Sequence, residues 1–195
     1  MTGPSRAGLL PDDECEDDYG TAECEAPPFA SEWLLSAADD TAEAQQQWLK
    51  DGVAVLTCGR QFAAVRIHAD VVWGAARTRD LARVDEFLDR ALCGGPVFMD
   101  PKTLHYYALV SPSSAAEHEW SPKRLLTPLR SDARLLSTGA YIGVPIPERR
   151  FPHRRLPYWC VPVGESRTLC SPHAVLQLLA RGRFAVAEQG VQSCP

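Results

Sequence analysis

The feature that most constrains the fold is one amphipathic helix followed at once by two short strands. Apolar side chains recur at helical spacing across residues 78–92, with Arg and Asp side chains on the opposite face. Gly94-Gly95 ends this helix, and residues 96–99 and 104–110 are predicted strands joined by a turn at 100–102. A helix that leads into a tight hairpin is typical of an α+β domain with an antiparallel sheet.

The rest of the chain predicts further short elements of both kinds. Predicted helices lie at 39–50 and 172–181, and predicted strands at 53–58, 62–67, 141–144 and 158–161. The first two strands are separated by a Gly59-Arg60 turn, so a hairpin is the simplest interpretation of them. Residues 111–134 predict a loop-rich excursion. The predicted fold is α+β, with a mostly antiparallel sheet and flanking helices.

The N-terminal part of the chain differs from the rest in charge. Residues 1–26 contain eight acidic side chains against Arg6 alone, and such a segment buries too little apolar surface to offset its ordering entropy. The excess of positive charge lies in residues 101–195. The acidic segment could engage a protein partner or the basic half of the chain, and a solvated tail is the alternative. We expect a disordered acidic tail at 1–28, a single domain at 29–187 and a C-terminal tail at 188–195.

Cysteine usage and hydropathy restrict the compartment. The seven cysteines are an odd number, and they form no Cys-x-x-Cys pair and no zinc-ligand spacing. The N terminus has no basic start followed by an apolar run, and no stretch approaches the ~20 apolar residues of a membrane span. These patterns predict free thiols in a reducing cytoplasm, no zinc site and no membrane attachment. We expect no cofactor, with Mg²⁺ or Mn²⁺ only if the chain is an active enzyme.

Three short motifs follow one another along the second half of the chain. They are Thr103-Leu104-His105, then Gly139-Ala140-Tyr141 with Val144-Pro145 and Pro147, then Tyr158-Trp159. In this order they resemble the bifunctional primase-polymerase branch of the archaeo-eukaryotic primase superfamily, and more closely short actinobacterial proteins that look like reduced copies of it. The resemblance spans about residues 50–180. It implies a nucleotide-handling fold in which Thr103, His105 and Tyr141 contact the phosphate or the nucleotide. A histidine packed at a strand start is the alternative for His105.

The acids that this family uses to bind metal are not matched. Where the family ends a strand in an acid-x-acid pair, this chain has Arg66 and His68 before a single acid, Asp70. Two-metal phosphoryl transfer needs clustered carboxylates, because Mg²⁺ and Mn²⁺ are held by oxygen ligands. The third acid would fall near Arg134, with Asp132 two residues away. The resemblance therefore implies that polymerase chemistry has been lost.

A weaker alternative keeps the enzyme active. It would use Asp70, Asp100 and Asp132 as carboxylates for Mg²⁺ or Mn²⁺. His68 and Asp70 are two residues apart on a predicted extended segment, so they would project from one face and could bind one ion together with Asp100. A surface-exposed strand end is the other interpretation of this segment.

The densest basic cluster lies in the proline-rich connection before the last predicted strand. It consists of Arg149, Arg150, His153, Arg154 and Arg155, interleaved with Phe151. Guanidinium groups neutralise phosphates, and an adjacent aromatic ring can stack on a base. This cluster, called the basic loop below, predicts contact with single-stranded nucleic acid. A solvated loop is its alternative.

Three functions stay open on these grounds. The first is a catalytically inactive primase-polymerase-like domain that acts as a nucleic-acid- or nucleotide-associated accessory protein. The second is a protein-interaction or regulatory module without a nucleotide ligand, in which the acidic tail and the basic loop engage a partner. The third is an active nucleotidyltransferase, which the missing carboxylates disfavour.

Overall fold

The structure is a computed structural model that describes residues 28–116, 132–152 and 155–192. Within these residues the α-helices are α1 (Pro28–Leu35), α2 (Thr41–Asp51), α3 (Ala69–Ala76), α4 (Leu81–Ala91) and α5 (Pro172–Gln192). The strands are β1 (Val53–Thr57), β2 (Ala63–His68), β3 (Val97–Asp100), β4 (His105–Val110), β5 (Ala133–Leu136), β6 (Tyr141–Pro145) and β7 (Tyr158–Val161). A 3₁₀ turn at Pro112–Ala116 follows β4.

Five of the strands form one antiparallel sheet in the order β5-β2-β4-β3-β7. The central strand β4 pairs along its length with β2, ending at the pair His68 and His105. It pairs with β3 on its other side, ending at the pair Asp100 and His105. One end of the sheet therefore carries Asp100, His105 and His68 side by side on three adjacent strands.

Helices α3, α4 and α5 cover one face of this sheet. Val65 and Ile67 of β2 face these helices and are fully buried, because alternate residues of a strand point to the same side. Helix α5 lies tightly against α3: a Cβ at Gly182 would overlap the backbone carbonyl of Val71. Glycine inside α5 is thus explained by this close approach, and any larger residue would push the two helices apart.

A second layer packs against part of the opposite face. It consists of α1, α2 and a separate two-stranded antiparallel sheet of β1 and β6. The indole of Trp48 donates to the carbonyl oxygen of Val144 at 3.0 Å, and that of Trp159 to the carbonyl oxygen of Pro145 at 3.2 Å. Both bonds satisfy the polar atom of a buried tryptophan; the first holds α2 on β6 within the second layer, and the second ties β6 to β7 of the five-stranded sheet.

The predicted α+β architecture with antiparallel strands and flanking helices is confirmed. The predicted hairpin at 96–110 is present as β3 and β4, and the predicted helix at 78–92 is α4. The predicted hairpin of residues 53–67 is wrong, since β1 pairs with β6 while β2 pairs with β4 and β5. A tight turn is present, with Gly59 donating to the Phe62 carbonyl at 2.7 Å, but it passes the chain from one layer to the other.

Helix α3 and strand β5 were not predicted. Helix α3 begins at Ala69, where the sequence analysis expected an extended segment, and β5 lies within the expected loop at 111–134. Helix α5 continues past 181 to Gln192, into the expected C-terminal tail. Residues 1–27 and 117–131 lie outside the described residues. They include most of the expected acidic tail at 1–28 and of the expected loop at 111–134. No helix in the described part of the chain has the length and apolar character needed to cross a membrane.

Candidate functional site

The site of interest is a cleft where β2 ends and α3 begins. Its volume is about 530 Å³. Strands β2 and β4, helices α3 and α5 and the segment before β5 supply its walls, and the lining residues are Arg66, His68, Asp70, Val71, His105, Asp132, Arg183 and Val186. Below, "the cleft" means this set. Three of these residues (Asp70, His105 and Asp132) come from the predicted site residues, and the fold brings them to one place.

His68 and His105 face each other across the β2–β4 pairing. Their ring centroids are 5.4 Å apart and the ring planes are nearly perpendicular, at 88°. His68 is also the N-cap of α3: its Nδ1 accepts a hydrogen bond from the backbone nitrogen of Asp70 at 3.3 Å. The same Nδ1 lies 3.5 Å from the Asp70 carboxylate. Asp70 therefore holds one edge of the His68 ring, and Nε2 is the nitrogen left for a ligand.

The environment of His105 favours a neutral imidazole. Burial, followed by the positive charges of Arg66 and His68, lowers the pKa of His105, and the backbone of Thr103 and the charge of Asp100 oppose this shift. Nδ1 of His105 is buried and makes no well-formed hydrogen bond to the described residues. Because Nδ1 is buried, Nε2 is the nitrogen through which this neutral imidazole can accept a proton from a ligand.

Arg66 lies on the same face of β2 as His68, two residues earlier. Its neighbours across the strands are Tyr107 on β4 and Arg134 on β5, so no carboxylate lies opposite it in the sheet. Among the described residues it makes no ion pair and no side-chain hydrogen bond. Its guanidinium is therefore a positive charge at the cleft without a described counter-ion.

The two carboxylates of the cleft are held by arginines. Asp132 accepts two hydrogen bonds from Arg183, both at 2.8 Å, and this bidentate pair is largely buried. Those hydrogen bonds raise the pKa of Arg183. Asp70 lies 3.4 Å from the guanidinium of Arg79 as well as beside His68. The polar groups of the cleft that are left for a ligand are thus the Arg66 guanidinium and the Nε2 atoms of His68 and His105.

The arrangement does not form a metal centre. Asp100 lies outside the lining of the cleft; it caps the β3–β4 turn by accepting from the Lys102 backbone at 3.0 Å and from the Thr103 hydroxyl at 2.8 Å. The expectation that His68 and Asp70 share an extended segment is wrong, because Asp70 is in the first turn of α3. Within residues 28–116, 132–152 and 155–192, no three His, Cys, Asp or Glu side chains are placed to hold a metal ion.

The other two predicted nucleotide contacts lie away from the cleft. The hydroxyl of Thr103 is engaged by Asp100 in the turn. Tyr141 is on β6 in the second layer, where its side chain is 60% exposed and its hydroxyl donates to Asp39 at 3.1 Å. The structure therefore separates the Gly-Tyr-Pro turn from His105 by placing the two motifs in different sheets.

The basic loop is partly a structural element. Arg149 donates to the carbonyl oxygen of Gly52 at 2.9 Å, at the C-terminal end of α2, and burial lowers the pKa of its guanidinium. The Nε of Arg150 is buried and has no described hydrogen-bond partner. Arg155 is exposed, while His153 and Arg154 lie outside the described residues. Nucleic-acid contact by this loop stays a prediction.

A second polar group lies on the other face of the sheet, and the sequence analysis did not predict it. It consists of Trp73, Asp85, Tyr106, Tyr158 and Cys160, called the closed cluster below. The Tyr158 hydroxyl donates to Asp85 at 3.4 Å, and the Trp73 indole donates to the Tyr106 hydroxyl at 3.2 Å. Burial raises the pKa of Asp85 to about 6, partly offset by hydrogen bonds from Cys160 and Tyr158. Both tyrosines are fully buried.

Arg183 is the cleft residue that sequence reasoning missed. It lies in α5, 51 residues after its partner Asp132, and a lone arginine on a helix has no motif that would mark it. Arg66 was noted only as a missing acid. Comparisons of the chain with protein-family models, with curated proteins and with solved structures found no match.

Proposed function

We propose that the chain is a primase-polymerase-like domain that binds the phosphate groups of a nucleotide or of single-stranded nucleic acid in the cleft, without metal-dependent polymerase chemistry. One observation carries the proposal. His68, His105 and Arg66 converge on one cleft, and the two carboxylates there are bound to arginines. Such a site favours an anion over a cation.

The size and the side chains of the site support this ligand class. A volume of about 530 Å³ falls within the range of roughly 300 to 1,000 Å³ found for small-molecule sites. The first amides of α3 are already engaged, since Ala69 donates to the Leu104 carbonyl at 2.8 Å and Asp70 to His68 Nδ1 at 3.3 Å. The donors for phosphate oxygens are therefore the imidazole and guanidinium side chains of the cleft.

The side chains available as metal ligands argue against metal-dependent nucleotidyl transfer. Asp132 would have to break its two hydrogen bonds with Arg183 to bind a metal ion. The Asp100 carboxylate already accepts a hydrogen bond from Thr103 within the β3–β4 turn. The family that the chain resembles has an acid-x-acid pair where this chain has Arg66 and His68. These two side chains offer no oxygen ligand to a hard cation. Template-dependent nucleotide incorporation with Mn²⁺, lost in Asp70→Ala, would overturn this part of the proposal.

The test is binding of fluorescent single-stranded RNA and DNA oligonucleotides across a salt series in EDTA. We expect the logarithm of the affinity to fall linearly with the logarithm of the salt concentration. The variant Arg66→Ala should weaken binding about tenfold and reduce the salt slope by about one. Arg60→Ala, which removes an exposed arginine 3.6 Å from Asp39, is the matched control and should bind like the unmodified protein.

A second variant, with Arg150, Arg154 and Arg155 changed to Ala, separates the cleft from the basic loop. Arg149 is left in place because it supports the end of α2. Loss of affinity in the loop variant but not in Arg66→Ala would move the binding site to the loop and overturn the assignment to the cleft. No binding even at low salt would favour the protein-interaction module. Its surface would then be the outer face of β1 and β6, where Val55 is 51% and Tyr141 60% exposed.

A further inference from the structure

We infer that the cleft cleaves the phosphodiester backbone of RNA without a metal ion, with His105 as the general base and His68 as the general acid. The inference rests on the proposed function, since it requires the cleft to hold a phosphate. It names the substrate class as RNA and assigns an activity to the site.

The geometry of the two histidines is the first support. They lie directly opposite each other on adjacent strands, with ring centroids 5.4 Å apart, and both line the cleft. A phosphate resting on both rings would have one imidazole near each of two of its oxygen substituents. General acid–base catalysis needs this placement, because each proton moves only over hydrogen-bond distance.

The surroundings of the two rings differ, and the difference assigns the roles. Nδ1 of His105 is buried, so Nε2 is the ring nitrogen that can take a proton from a ligand, and burial together with the charge of Arg66 lowers the pKa of His105 and favours the neutral base. Nδ1 of His68 accepts a hydrogen bond from the Asp70 backbone nitrogen at 3.3 Å, so the ring proton lies on Nε2, which can donate it. The other charged groups at or beside the cleft are the Asp132–Arg183 pair, Arg79 at 3.4 Å from Asp70, and Asp100 nearby.

Arg66 completes the site. It lies two residues from His68 on the same strand face, which places the two Cα atoms roughly 6 to 7 Å apart. Negative charge builds up on the non-bridging phosphate oxygens as the 2′-oxygen adds. The guanidinium of Arg66, which has no other described partner, can contact these oxygens and stabilise that charge.

The reaction balances with the RNA alone. His105 removes the proton of the ribose 2′-hydroxyl, and the 2′-oxygen forms a bond to phosphorus. The bond between phosphorus and the 5′-oxygen of the next nucleotide breaks, and His68 donates its proton to that oxygen. The products are a 2′,3′-cyclic phosphate and a 5′-hydroxyl, and exchange with water restores both histidines. DNA lacks the 2′-hydroxyl and cannot react.

The experiment incubates the protein in EDTA with a single-stranded DNA oligonucleotide that contains one ribonucleotide. We expect one cut, on the 3′ side of the ribonucleotide, and mass spectrometry should show a 2′,3′-cyclic phosphate on the 5′ fragment. His105→Gln and His68→Asn should each slow the cut at least about 100-fold. Asn at position 68 can still cap α3, so the fold is retained.

Two controls tie the activity to this chain. His173→Asn removes an exposed histidine at the start of α5 and should cut at the unmodified rate. Each variant is purified in the same way, so a contaminating ribonuclease would cut equally in all of them, and that result would overturn the inference. Far-ultraviolet circular dichroism checks that each variant is folded.

The all-DNA oligonucleotide of the same sequence separates this inference from the proposed function. It should bind with an affinity within a few-fold of the ribonucleotide-containing one and stay intact. Binding of both oligonucleotides without any cut in EDTA would overturn the cleavage inference and leave the phosphate-binding function standing. Failure of both to bind at low salt would overturn the two together.

Discussion

The two faces of the five-stranded sheet carry polar groups of similar chemistry but different access. In the closed cluster, Asp85 accepts from Tyr158, and the Tyr106 hydroxyl accepts from Trp73. In the cleft, the Arg66 side chain has no such internal partner among the described residues. Polar groups that satisfy each other inside a fold stabilise one structure, whereas unsatisfied groups at an open cleft are available to a ligand.

This comparison also shows what a perturbed pKa does not prove. Asp85, whose pKa is raised to about 6, has a large shift, yet it lies between α4 and β7 and not at the cleft. Desolvation against packed aromatic rings is enough to explain it. His105 is the better functional candidate because its shift coincides with an open cleft and a second histidine.

The largest expected effect comes from breaking the ion pair that neutralises the cleft. Arg183→Ala leaves the carboxylate of Asp132 largely buried and without its partner, so we expect a loss of about 3 kcal/mol in the free energy of unfolding. Urea denaturation measures it. Arg181→Ala, on the same helix, removes an exposed arginine over the ring of Phe87 and should cost less than about 1 kcal/mol. Adding Asp132→Asn should restore part of the loss; a double variant as unstable as Arg183→Ala would contradict this account.

Thiol reactivity tests the access of the closed cluster. Burial raises the pKa of Cys160 well above its usual value, with the charge of Asp85 adding to it, and the thiolate is the reactive form. We expect iodoacetamide to label Cys160 at least about 100-fold more slowly than the exposed Cys93. Peptide mapping by mass spectrometry follows each cysteine separately. Equal rates would mean that the closed cluster is accessible, and the contrast with the cleft would fail.

The free energy of unfolding measured across a pH series tests how much the charged form of Asp85 destabilises the fold. The folded pKa of about 6 lies above the unfolded value of about 3.9, so the protonated form stabilises the fold below about pH 4 and this stabilisation is lost as the pH rises through 6. Asp85→Asn should therefore raise the free energy of unfolding by about 2 kcal/mol at pH 7.5 and by little at pH 4. Asp89→Asn serves as the control, because it removes the same charge from an exposed position of the same helix outside the closed cluster.

The smallest expected effect is the change in the free energy of unfolding when the Arg66 side chain of the cleft is removed. Arg66→Ala removes a side chain that makes no hydrogen bond or ion pair with the described residues, so the free energy of unfolding should change by less than about 0.5 kcal/mol. Urea denaturation beside the oligonucleotide-binding assay reports both quantities for one variant. A loss above 1 kcal/mol would show that Arg66 is structural, like the side chains of the closed cluster.

Local patterns predicted the elements that depend on neighbouring residues. Helix α4 and the β3–β4 hairpin were visible because apolar spacing and turn residues lie within a few positions of each other. Helix α3 was missed because its eight residues are nearly all apolar and show no helical periodicity. The partners of β1 and β2 were missed because strand pairing is decided by residues far along the chain, such as β6 and β5.

By itself, the sequence determined the α+β class and the helix and hairpin at its centre. These follow from side-chain type and short-range spacing. Only the tertiary structure decided that His68 faces His105, that Arg183 binds Asp132 and that Tyr141 lies in another sheet. The physical reason is that a site forms where distant segments pack together, and packing of the whole core sets which segments meet.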